Sequence, residues 1–179
     1  MWKFLNSLLG DGVPRQKPVP SSEKATPAAT AYTTRLGKTV PVDDAFRAWT
    51  SGDLDAMLKA LHVKTNLIDR HFLLMGIVDA TYKKRSDEKM GSLCASVAQI
   101  HLSEFSAIAP ALKEDIGGFL PRVTTFQLYA TLLSEQGEFE EAITVCKSAI
   151  AYGLHDNTQS GFEERIELIK KQWAKHNGI

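Results

Sequence analysis

From Val42 onward the chain repeats its apolar side chains at intervals of three and four residues, and no window there shows the alternation of β-branched residues that argues for a strand. A period near 3.6 commits the chain to helices that each bury one stripe, so an all-α fold is expected. Breakers divide the pattern into about seven helices, placed roughly at 43–51, 53–62, 66–85, 87–108, 121–136, 138–152 and 160–176. Several ends have a local mechanism. Ser160 with Glu163 reads as a capping box for the last helix. Gly153 suits a left-handed closure after Tyr152, and Pro121 suits a first helical turn, where its missing N–H is not needed. The stretch from Pro110 to Gly118, ending in Gly117-Gly118, reads as a break with room for one extra turn.

Ahead of the helices the composition changes. Residues 11–41 interleave Pro14, Pro18, Pro20, Pro27 and Pro41 with Ser, Thr, Ala, Lys and Gly, and offer few large apolar groups to offset the entropy of ordering them. They are expected to form a flexible linker. Residues 1–10 carry Trp2, Phe4, Leu5, Leu8 and Leu9 on one side of a helical wheel and Lys3, Asn6 and Ser7 on the other, an amphipathic helix at the end of that tether. With Lys3 and the terminal amine as its only positive charges, such a helix would hold a membrane weakly; docking on protein needs no second signal. The folded domain then runs over residues 42–179.

Charge narrows the function. A formal net charge of +0 and a pI of about 7.0 lack the basic excess of a duplex binder, so no nucleic acid is expected. No run reaches the roughly 20 apolar residues of a membrane span. Cys94 and Cys146 lie inside apolar helical patterns and are too few for a disulfide framework, which fits a reducing, cytoplasmic compartment.

The most specific pattern lies between Val123 and Leu154. Phe126, Tyr129, Ala130 and Leu133 follow one another along one helix, Gly137 marks a turn, and Phe139, Ala142, Cys146 and Ala149 run along the next. Ala130 and Ala142 sit where two antiparallel helices would cross, and small side chains there let the axes approach closely. Spaced in this way, the segment resembles a tetratricopeptide repeat, with Leu154 where the family places proline. Fainter copies surround Gly52-Asp53-Leu54 and Ser86-Asp87, although Gly91 takes the alanine place in the second helix of the Ser86-Asp87 copy. The stretch from Glu135 to Lys170 is also similar to helical domains of uncharacterised bacterial proteins, a likeness that carries no activity. The repeat resemblance implies a stack of antiparallel helix pairs whose first helices line a concave face that binds a protein or peptide. On the clear repeat that face would present Thr124, Gln127, Thr131, Ser134 and Glu135. Downstream, Phe162, Ile166, Ile169 and Trp173 form one stripe opposite Glu163, Glu167 and Lys171, the half-wet pattern of a terminal cap, with Glu167 and Lys171 spaced to pair.

Catalytic signatures are missing from the sequence. His62, His71, His101, His155 and His176 include no i,i+4 pair, although His71 and His101 could meet across two helices near Asp69 or Glu104. There is no Cys-x-x-Cys, no Gly-x-Ser-x-Gly and no phosphate-cradling loop. Glu135, Glu138, Glu140 and Glu141 straddle an expected exposed turn, and Asp156 and Asn157 read as turn formers. No catalytic residue, cofactor or metal is therefore expected. The leading expectation is a non-catalytic helical-repeat adaptor. Its rivals are a membrane-tethered or self-assembling factor acting through residues 2–9, and an enzyme whose site is too scattered to read.

Overall fold

A computed structural model describes residues 31–178. The stripe of Trp2, Phe4, Leu5, Leu8 and Leu9 and residues 11–30 of the expected linker lie outside the described residues.

The last part of that linker is not a linker. Tyr32–Arg35 (β1) and Lys38–Pro41 (β2) pair antiparallel, with Tyr32 opposite Pro41 and Arg35 opposite Lys38. Leu36 and Gly37 form the two-residue turn, both with positive φ (51° and 68°), the twist that suits a tight hairpin. Two short strands alone are marginal in water. This pair holds because Arg35 reaches Asp69, buried at 1 % exposure, through Nε at 3.2 Å and Nη2 at 2.6 Å, while lying 5.3 Å over the Phe46 ring. The turn adds a bond from the Leu36 N–H to Asp115.

Seven helices follow: α1 (Asp44–Ser51), α2 (Leu54–Ala60), α3 (Leu67–Tyr82), α4 (Glu88–Ile116), α5 (Thr124–Glu135), α6 (Phe139–Tyr152) and α7 (Gly161–His176). Short polar side chains start four of them. Asp43 accepts from the Phe46 N–H at 2.8 Å, Asp53 from Asp55 at 3.0 Å, Asn66 from Asp69 at 2.9 Å and Asp87 from Met90 at 3.0 Å. Gly52, Gly117 and Gly153 close α1, α4 and α6 in the left-handed conformation.

Three boundaries depart from expectation. Helix α4 runs through Pro110 to Ile116 instead of breaking there. Pro110 and Ser106 both face solvent, so water can take the carbonyl bond that the proline leaves unmade, while Ile108, Ala109 and Leu112 keep the opposite face buried. Helix α5 starts at Thr124, leaving Pro121 ahead of it. Ser160 makes no capping bond to α7; the Thr158 hydroxyl oxygen accepts from the Gly161 N–H at 3.0 Å instead, because Asp156 has already folded the loop around Thr158. On α7's wet face, Glu167 pairs with Lys170 rather than Lys171.

Each helix packs on the next along the chain, and the odd-numbered helices also meet in succession, α1 on α3, α3 on α5 and α5 on α7. Connections as short as Gly52-Asp53 and Gln136–Glu138 leave consecutive helices no choice but to run antiparallel. Helix α3 lies at the centre, against α1, α2, α4 and α5, as its nearly all-round apolar sequence requires. Ala130 and Ala142 are fully buried, together with Phe126, Tyr129, Leu133 and Phe139 around the α5–α6 contact. Gly91 also has a local reason to be small: a Cβ there would lie 3.1 Å from the Arg85 carbonyl oxygen, so the turn from α3 into α4 leaves it no room.

Candidate functional site

Among the described residues, two gatherings of polar side chains bear on function, one in the dry core and one in a wet groove. In the dry one, α3, α4 and α5 meet around His71 and His101, both 0 % exposed. His71 Nδ1 lies 3.0 Å from His101 Nε2, and His101 Nδ1 lies 2.8 Å from the Thr125 hydroxyl. Phe105 closes the ring cluster, edge-on to His101 at 5.8 Å. Whichever way the protons run along this chain of bonds, His71 Nε2 has no protein partner. Burial lowers the pKa of His71 to about 4, and burial followed by the nearby His71 and Arg70 pushes His101 well below its ordinary value. Both rings are therefore neutral at pH 7. Asp69 and Glu104, the carboxylates the sequence places near them, are engaged elsewhere: Asp69 by Arg35, Trp49 and Asn66, and Glu104 by both arms of Arg70 at 2.8 Å. Among the described residues no cluster of three or more His, Cys, Asp or Glu side chains could hold a metal ion.

The cysteines face the wrong way for nucleophilic work. Burial pushes the Cys146 thiol up to about 11 and raises Cys94 as well, the opposite of the shift that makes a reactive thiolate.

The wet place is a groove of about 690 Å³ between α5 and α7, with the start of α6 as its floor. Helix α5 contributes Thr131, Ser134 and Glu135 from its last turns. Helix α7 contributes Arg165, Leu168, Ile169, Gln172, Lys175 and His176, one face at helical spacing. Phe139 and Ile169 make the apolar bottom, and Leu168 stands above it at 51 % exposure, high for a leucine in a concave setting. Trp173 stacks on Phe139 at 6.3 Å, and the His176 ring lies 5.6 Å from Phe139.

Two ion pairs, each made through two arginine N–H groups, set the groove's shape. Arg165 donates from Nε (3.1 Å) and Nη2 (2.8 Å) to Asp156, buried at 3 % exposure, and from Nη1 to the Thr131 hydroxyl at 3.2 Å, so one side chain ties the loop before α7 to α5. Burial alone would raise the Asp156 pKa, but hydrogen bonds from Thr158 and Arg165 outweigh it and hold the carboxyl below its ordinary value. At the other end Glu135 receives Arg85 Nε and Nη2, each at 2.7 Å, and this pairing lowers its pKa. Arg85 itself lies 4.0 Å over the Tyr82 ring.

Of the five concave-face residues read from the sequence, Thr131, Ser134 and Glu135 come together in this groove. Gln127 is not on its lining and instead accepts from Arg122 at 3.3 Å. Thr124 donates to Asp79 at 2.7 Å, joining α5 to α3 rather than facing a ligand. The whole α7 side went unread, since Arg165, Leu168, Gln172 and Lys175 flank the buried stripe of that helix by a fraction of a turn. The only trace was a leucine beside the stripe instead of on it. Comparison with protein-family models, with curated proteins and with solved structures returned no match.

Proposed function

We propose that residues 42–178 form a tetratricopeptide-like stack of helix pairs that works as a non-catalytic binding module for a protein or peptide, with the α5–α7 groove as its contact surface. The packing supports this reading: consecutive helices pair, and α1, α3, α5 and α7 meet in succession, the arrangement that aligns the first helices of successive pairs along one face. The groove between two of those first helices carries the proposal, because it sets an exposed Leu168 over an apolar floor between hydrogen-bonding walls. Pockets of this kind orient a ligand with a few polar groups and hold it with apolar area.

Affinity capture from cell lysate with the full chain and with a Leu168→Asp variant tests it. Proteins held by the native chain and lost from the variant are expected. Equal capture by both would remove the groove from the account, provided circular dichroism shows the same helix content in each.

A further inference from the structure

The groove's charge is unbalanced, and this bears on what it binds. Both oxygens of Glu135 accept from Arg85, so the charge of the one carboxylate on the lining is already paired. The Thr131 hydroxyl donates to the Gln127 carbonyl at 2.9 Å and that of Ser134 to the Ala130 carbonyl at 2.9 Å, so within the groove these two oxygens are neutral acceptors and carry no charge of their own. Arg165 uses three of its five N–H groups on Asp156 and Thr131 and keeps two. Lys175 makes no ion pair among the described residues and adds a full positive charge, with His176 beside it. The chain as a whole has a formal net charge of +0, so this local unpaired positive charge is a property of the groove.

We infer that the groove binds a peptide segment in which an acidic side chain adjoins an aliphatic one, the carboxylate meeting Arg165 and Lys175 and the aliphatic group covering Leu168. The inference rests on the binding-module reading above and sharpens it to one ligand chemistry. A neutral or basic segment would leave the Lys175 charge and the spare Arg165 N–H groups unanswered as water is displaced, and unanswered donors are what a binding site discriminates against. The apolar side chain is equally required, because exposed ion pairs alone contribute little.

The test uses the full chain and three fluorescein-labelled decapeptides that alternate leucine with glutamate, glutamine or lysine, read by fluorescence anisotropy. The glutamate peptide should bind about tenfold or more tightly than the glutamine peptide at low salt, with the gap narrowing as salt screens the charges. Lys175→Glu should weaken it by roughly threefold to tenfold, and Leu168→Asp should remove measurable binding. Both positions are exposed, so unchanged melting curves will show that the variants fold. If the glutamine or lysine peptide binds as well and is still lost with Leu168→Asp, the acidic preference is overturned while the groove stands. Binding that ignores both substitutions overturns the inference by moving the ligand elsewhere. If none of the three binds, and a randomised decapeptide library yields nothing either, this inference and the binding-module reading fall together.

Discussion

Helix α5 serves two neighbourhoods that treat its polar residues in opposite ways. Near its start Thr125 is sealed between α3 and α4, where its hydroxyl closes the chain His71–His101–Thr125 and no solvent reaches any member. Within the next three turns Thr131 and Ser134 face the groove against α7, half-buried, with ion pairs at both ends. The difference lies in what covers the helix. Large rings, Phe105 and Phe126 at 5.1 Å, fill the first space, whereas α5 and α7 touch only lightly and leave the second open. Polar groups in the first place therefore specify how helices seat, and those in the second remain free to meet something else.

The sharpest way to break this contrast is Phe105→Ala. It removes the ring shared by both histidines, Phe126 and Tyr152 and should lower unfolding stability by about 3–5 kcal/mol in urea melts. A loss under 1 kcal/mol would mean the centre is not the tightly packed place described.

Next in size is pH. His71 has a folded pKa of about 4 against an ordinary value of 6.5, so the unfolded chain binds more protons and stability falls as pH drops below 6.5. Linkage puts the loss from His71 alone at about 2 kcal/mol between pH 7 and pH 5, and His101, shifted the same way, adds to it. Urea melts at pH 7, 6 and 5 should show that slope, and a flat profile would show that water reaches the rings.

A smaller effect, about 1–3 kcal/mol, is expected of Arg165→Ala, which leaves the Asp156 carboxylate buried without its partner. Asp156→Asn paired with Arg165→Ala in a double-mutant cycle would isolate the coupling, and purely additive losses would deny that the pair shapes the groove. Smallest of all, Leu168→Ala should change stability by no more than about 0.5 kcal/mol while lowering affinity for whatever ligand the groove accepts. A stability loss like that of Phe105→Ala would show Leu168 to be core, and the two neighbourhoods to be alike.

The helical half of the molecule was legible because its signals are local. Apolar side chains recur every three to four residues along each helix, and Gly52 and Gly153 close α1 and α6 through their own φ angles, whereas the side-chain caps Asp43, Asp53, Asn66 and Asp87 went unread. The hairpin was misread for the converse reason. Its threonines and Pro41, following a proline-rich stretch, resemble a linker, and what stabilises it, Arg35 on Asp69, spans 34 positions in the chain. Pro110 misled in the same way, since a proline breaks a helix only if the orphaned carbonyl cannot find water, and exposure is a tertiary property.

Sequence alone thus determined that the chain from Val42 onward is helical, roughly where each helix lies, and that small residues such as Ala130 and Ala142 belong inside, because periodicity acts over a few residues. Only the tertiary structure decided which polar side chains are used up and which stay free. His71 with His101, Arg85 with Glu135 and Arg165 with Thr131 are each separated by 30 to 50 positions, and a hydrogen bond forms only where the packed helices bring donor and acceptor within about 3 Å.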